Sequence, residues 1–124
     1  MNGSLVYQDY INLINKNFII AKNIGNNQIQ PSSMDLSLSE ECYEIKYSFL
    51  SYNSKVRDKL KDLAIKKINL SKEFIFRKNK TYLVKLNERL NLQKNVFGHC
   101  NPKSSTGRLD ITEKLIIEIN KKFK

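Results

Sequence analysis

A mainly β domain with two short helices is the fold class that this chain predicts. Two observations lead there. Apolar residues recur at period two through several short stretches rich in Val, Ile, Tyr and Phe, and Asn, Gly, Pro and Ser punctuate the intervals between them. Helical spacing is confined to two brief segments. At 124 residues the chain suffices for one domain and not for a second independent core. With 40% hydrophobic and 27% charged residues it has the composition of an ordinary globular protein, so a folded domain is expected.

From Tyr7 to Phe18, the residues Tyr10, Ile11, Leu13, Ile14 and Phe18 share a helical face, and Asp9 sits near the start, where a carboxylate favours the helix dipole. Asn23 to Gln28, centred on Gly25, reads as a turn. Ile29 to Ser33 leaves it extended, because the residue before Pro31 avoids the α region. Met34 to Leu38 alternates apolar and polar as a half-buried strand does, and Glu40 to Leu50 forms a second strand with Tyr43, Ile45, Tyr47 and Phe49 on one face. Ser54 is placed to cap a helix over Lys55 to Ala64, with Val56, Leu60, Leu63 and Ala64 as its apolar stripe. Strands return at Ile68 and Leu70, at Phe74 and Phe76, and at Tyr82, Val84 and Leu86, with Lys78-Asn79-Lys80 turning between the last two. Leu90 to Phe97 is extended, and Thr112 to Ile119 fits either a strand or a short helix.

Chemistry concentrates at Asn101 to Asp110, NPKSSTGRLD. Ser104, Ser105 and Thr106 bring three hydroxyl donors. Gly107 permits a positive φ that lets successive amides converge, and Lys103 and Arg108 bracket the turn with positive charge. Proline, serine and glycine also make plain surface turns. Charge favours the anion seat: at an effective dielectric of about 20, a cation about 4 Å from a phosphate charge is worth about 4 kcal/mol before desolvation.

Several other functions find little support. The formal net charge is +10, but it is spread from Lys16 to Lys124 and only four of the basic residues are arginine, so a nucleic-acid partner is not expected. Cys42 and Cys100 lie far apart without CxxC spacing, as suits a reducing cytosol. No secretory leader or long apolar run is visible, and no membrane association is expected. His99 and Cys100 lack the HxE and PCxxC surroundings of a zinc deaminase site, so no zinc is expected, and they read as a partly buried pair beside a loop. Neither Ser104 nor Ser105 stands in a GxSxG elbow, His99 is the one histidine available as a base, and the GxxxxGK[ST] phosphate loop is absent.

Two segments taken in order, IQPSSMDLSL (Ile29 to Leu38) and NPKSSTGRLDI (Asn101 to Ile111), resemble the dCTP deaminase family, relatives of the trimeric dUTPases. The first is similar to the family's QPxSxDxxL strand. The second is similar to its phosphate-binding motif: a basic residue, two serines and, four residues after the first serine, an arginine. The wording Lys-Ser-Ser-Thr-Gly-Arg looks most like the longer branch, in which two such modules are joined. LKDLAIKKINLS and the tyrosine strand before LNERLNL extend the likeness over about Ile29 to Ile117.

The resemblance implies a β-clip fold, here residues 29–124 after an N-terminal helix and turn over 1–28, and assembly as a homotrimer or with a complementing chain. It implies hydrolytic deamination of dCTP, or of a related deoxynucleoside triphosphate, without zinc. Lys103 to Arg108 would hold the triphosphate with its Mg2+, Ser104 would position water or base, and Arg108 would stabilise developing charge. Two related readings are dUTP hydrolysis on the same fold and a non-catalytic deoxynucleotide-binding subunit. The chain departs from the family pattern in two places. The motif is not followed by the segment carrying the family's general-base glutamate, a role that neither Glu113 nor Glu118 inherits, so a β-clip incomplete at its C-terminus is expected. Lys103 stands where single-module deaminases carry arginine, and lysine supplies a point charge without a bidentate fork.

Overall fold

The computed structural model describes residues 3–25, 27–50, 54–103, 109 and 111–116. Its elements run α1 (Tyr7–Asn15), β1 (Ile19–Ile20), β2 (Leu38–Ile45), α2 (Val56–Leu63), β3 (Ala64–Asn69), β4 (Thr81–Leu86) and β5 (Arg89–Leu90). The fold is mainly β with two short helices, and among the described residues the sheets do not close on themselves. One sheet has the order β3-β2-β4, and the other pairs β1 with β5 antiparallel, Ile19 opposite Leu90 and Ile20 opposite Arg89. The chain clusters into two compact units. The first comprises residues 1–42, 68–74 and 84–97, and the second comprises 43–67, 75–83 and 98–124.

In the first unit, α1 opens at Val6, whose amide donates to Asp9 Oδ2 at 2.9 Å. That bond satisfies one orphan donor and puts a carboxylate in the first turn. The helix stops earlier than its apolar spacing suggests, because Asn17 adopts φ 62°. The amide of Phe18 then donates to Leu13 O at 2.9 Å and that of Asn17 to Ile14 O at 3.1 Å, a Schellman-type closure with asparagine in the left-handed position. The reversal frees Ile19 and Ile20 to form β1, which the helical spacing did not anticipate. Leu13, Ile19, Cys42 and Ile68 are the buried apolar residues of this unit.

Met34 to Leu38 is not a regular strand: only an isolated Ile29–Met34 bridge forms, and β2 begins at Leu38. The reason is where the polar groups go. Gln30 N donates to Ser33 O at 2.8 Å and Asp35 N to Gln28 O at 2.8 Å, folding QPSSMD into a tight hairpin around Pro31 and Ser32, and the Tyr10 hydroxyl donates to Ser32 O at 3.3 Å. Just beyond, Ser37 is held by the Glu88 carboxylate: Oε1 accepts from the Ser37 amide at 2.7 Å, and Oε2 accepts from the Ser37 hydroxyl at 2.6 Å. Gln28 Nε2 donates to the same Oε2 at 3.0 Å and to Asp35 O at 2.9 Å. Asn87 completes the join, its amide donating to Ser37 O at 3.0 Å and its side chain to Leu38 O at 3.0 Å. Glu88 is only 7% exposed, so these donors replace the water it lost.

In the second unit, Ile45, Leu60 and Leu63 form the core, with Tyr43, Phe49, Val56, Ala64 and Leu83 packed against it. Leu60 and Leu63 lie three apart on α2, as the apolar stripe requires. The N-cap is Lys55 rather than Ser54 and makes no side-chain capping bond. Asp58 N and Lys59 N donate to Lys55 O, so the helix starts one residue later than Ser54 capping would place it. The expected apolar face of Tyr43, Ile45, Tyr47 and Phe49 breaks after Ile45, where β2 ends, and Tyr47 is exposed.

Phe74 and Phe76 do not make a strand. Arg77 N donates to the Tyr82 hydroxyl at 3.0 Å instead of to a ladder, and the Phe76 ring meets Tyr82 edge-on at 4.8 Å. The turn at Lys78 to Lys80 is present, with Asn79 at φ 63°. Of the extended stretch expected after Leu90, only Arg89–Leu90 is strand, and residues 112–116 belong to no regular element.

Two substitutions test these accounts. Asn17→Gly is expected to leave stability unchanged or raise it slightly, whereas Asn17→Val should lower it by about 1–2 kcal/mol in urea unfolding, because a β-branched residue resists a positive φ. Equal effects of the two would refute the closure. Glu88→Ala should cost about 3 kcal/mol or more, because it strands donors from Ser37 and Gln28. A loss below about 1 kcal/mol would show that the carboxylate does not hold the hairpin.

Candidate functional site

The turn that concentrates anion-binding chemistry is described only at its margins. Asn101, Pro102 and Lys103 are exposed and belong to no helix or strand. Ser104, Ser105, Thr106, Gly107, Arg108 and Asp110 lie outside the described residues, while Leu109 is in a turn and 73% exposed. The ammonium of Lys103 is thus carried on a solvent-facing segment that leads directly into the hydroxyl run. The carboxylate-bearing Glu113 that follows is exposed, and Glu118 lies outside the described residues.

His99 and Cys100 are both exposed, which corrects the expectation of a partly buried pair. Local protein atoms still desolvate the Cys100 sulfur enough to push its thiol pKa up, disfavouring the thiolate that a metal ligand requires. Among the described residues, no three His, Cys, Asp or Glu side chains come together in a way that could hold a metal ion. No described helix is long and apolar enough to cross a membrane.

The other motif is well defined. Gln30, Pro31, Ser32 and Ser33 form the hairpin tip, and Asp35 and Leu36 lead from it to Ser37 and Leu38 at the mouth of β2. Sequence reasoning missed the residues that fix this geometry, Gln28, Asn87 and Glu88. The only local signal was an acidic residue two positions from a leucine on either side, Leu86 and Leu90, in LNERLNL. A shallow depression in the second unit is lined by Ser48, Phe49, Leu50 and Lys114, a small apolar floor with one cation.

Comparison with known proteins places this architecture. Residues 1–124 match the family model of the 2'-deoxycytidine 5'-triphosphate deaminase (DCD) N-terminal domain. Among solved structures, the chain is similar to 2'-deoxycytidine 5'-triphosphate deaminase from Agrobacterium tumefaciens, with 32% identity and a TM-score of 0.83 over 87% of this chain. The match spans 33% of that protein's chain, so about a third of its length is represented. No curated protein matches the chain. The hairpin motif, the open mainly β architecture and a family match that spans the whole sequence agree: the chain belongs to the dCTP deaminase family, as an N-terminal domain of that kind.

Proposed function

We propose that the chain is a dCTP deaminase-like module that binds a deoxynucleoside triphosphate through Lys103 to Arg108 and serves the hydrolytic deamination of dCTP to dUTP. The observation that carries this reading is the family match over residues 1–124, supported by the deaminase structure at 32% identity. In this reading Ser104, Ser105, Thr106 and the amides up to Gly107 donate to phosphate oxygens, and Lys103 and Arg108 offset their charge. Water adds at the ring carbon bearing the amino group, and ammonia leaves. Ser104 positions the water or the base, and the Arg108 guanidinium stabilises the charge that develops. Residues 1–28 contribute the N-terminal helix and turn, and 29–124 the β-clip portion.

Magnesium enters this reading as the counterion of the triphosphate. The described donor set includes no cage for a metal of the protein's own, and no chemical step is routed through one. A homotrimer, or completion by another polypeptide, would cover apolar side chains such as Ile65 and Ile75, which are 53% and 78% exposed. A reducing cytosol is the proposed compartment, in keeping with Cys42 and Cys100 standing outside any disulfide.

Incubation of the chain with dCTP and Mg2+ is expected to show triphosphate binding, and the appearance of dUTP with equimolar ammonia would establish deamination by this chain itself. Binding without product would assign it the nucleotide-holding part alone, and no binding would refute the reading. Arg108→Ala should weaken binding by about ten- to a hundredfold, the worth of one charge-assisted phosphate contact. Arg57→Ala, on α2, should change it little, and equal losses would remove the loop from the site.

A further inference from the structure

The segment Ile75 to Lys80, IFRKNK, gathers apolar and cationic side chains that lie outside the apolar core of the second unit. Ile75 is 78% exposed and Phe76 48%, and Arg77, Lys78 and Lys80 are exposed directly after them. Single apolar residues scattered over a surface are ordinary, but an adjacent pair followed by three cations is a patch with a chemical character. Glu73 is the one carboxylate from residue 73 to residue 83, and among the described residues no acid pairs with Arg77, Lys78 or Lys80. The arm is held in place. The Arg77 amide donates to the Tyr82 hydroxyl at 3.0 Å, the Phe76 ring meets Tyr82 edge-on at 4.8 Å, and Asn79 turns the chain at φ 63°. An arm already ordered loses little entropy when a partner binds.

We infer that Ile75, Phe76 and the cations that follow them form a docking surface for an acidic segment of another polypeptide, one whose carboxylates flank an apolar side chain. This rests on the proposed covering of Ile75 by another chain, not on the triphosphate reading, and it selects a different polypeptide over a second copy. At no more than about 3.6 Å per residue, Lys80 lies within about 18 Å of Ile75, a span that fits the roughly 800 Å² one partner gives to a standard interface. An apolar centre with a charged rim is how such interfaces are built, and aromatic residues and arginine are enriched in them. A second copy would bring 22 Lys and Arg against 12 Asp and Glu to a face that is already positive, and like charges facing one another cost affinity. An anionic membrane fits less well, because the turn itself is Lys78 and Asn79 and the apolar pair lies on the arm before it. A nucleic-acid strand also fits less well, because it is bound by stacking bases on aromatic faces and the more exposed of the pair is the aliphatic Ile75.

Selection of phage-displayed random peptides on the full chain, with the recovered peptides measured by fluorescence polarisation, tests this. Recovered peptides are expected to carry Asp or Glu on both sides of an aliphatic or aromatic residue. They should lose at least about tenfold in affinity to Ile75→Asn, and likewise to the combined Arg77→Gln, Lys78→Gln and Lys80→Gln variant. Lys22, Lys46 and Lys55 are exposed elsewhere, and changing all three to Gln should cost less than about threefold. Neutral or basic peptides, no recovered peptides, equal losses to the two triple variants, or indifference to Ile75→Asn would overturn the proposal. So would self-association in sedimentation velocity that Ile75→Asn abolishes, which would make the occupant a second copy. Tighter Ile75-dependent binding of oligo(dT) or of phosphatidylserine vesicles would overturn it too. Binding of dCTP, measured alongside, bears on the triphosphate reading alone and should be the same in every variant.

Discussion

Glu88 is the constraint on which the first unit depends. A carboxylate at 7% exposure has given up most of its water, and leaving it unmet would cost several kcal/mol. The chain meets it with the amide and hydroxyl of Ser37 and the side-chain amide of Gln28, residues 51 and 60 positions away. Because the donors come from both ends of the QPSSMD hairpin, one side chain fixes where the hairpin starts and where it delivers the chain into β2. The backbone donors of Gln30 and Asp35 then close the hairpin on itself, and regular pairing can begin only at Leu38.

The parts legible in the sequence were those set by local periodicity. Both helices and the strands β3 and β4 follow from spacing, since burial of Leu13, Leu60, Leu63 and Ile68 rewards the pattern directly. What was not legible came from polar groups acting at a distance. The early end of α1 turns on Asn17 entering the left-handed region, the missing strand at Phe74 and Phe76 on the Tyr82 hydroxyl capturing the Arg77 amide, and the missing regular strand at Met34 to Ser37 on Glu88. In each case a backbone amide found a partner that pattern reading does not register. The hairpin motif was legible as wording, but the residues that support the hairpin were not, because Gln28, Asn87 and Glu88 resemble any other polar residues until the fold brings them together.

Binding and catalysis separate along the same lines. The anion-binding chemistry proposed for Lys103 to Arg108 is local, carried by residue types at consecutive positions. Deamination asks for more, since an activated water and a selected base must be placed by side chains from several segments. The match spans 33% of the solved deaminase chain. Nucleotide recognition and turnover are therefore tested separately.

The central claim is that the turn from Lys103 to Arg108 holds a triphosphate. Backbone amide NMR of the labelled protein titrated with dCTP and Mg2+ tests it most directly. The account predicts that the largest, saturable shifts fall on Lys103 to Arg108, that deoxycytidine without phosphates fails to produce them, and that the Gln28 to Ser37 hairpin retains its amide pattern. Saturable shifts centred elsewhere, or equal shifts with the unphosphorylated nucleoside, would contradict it.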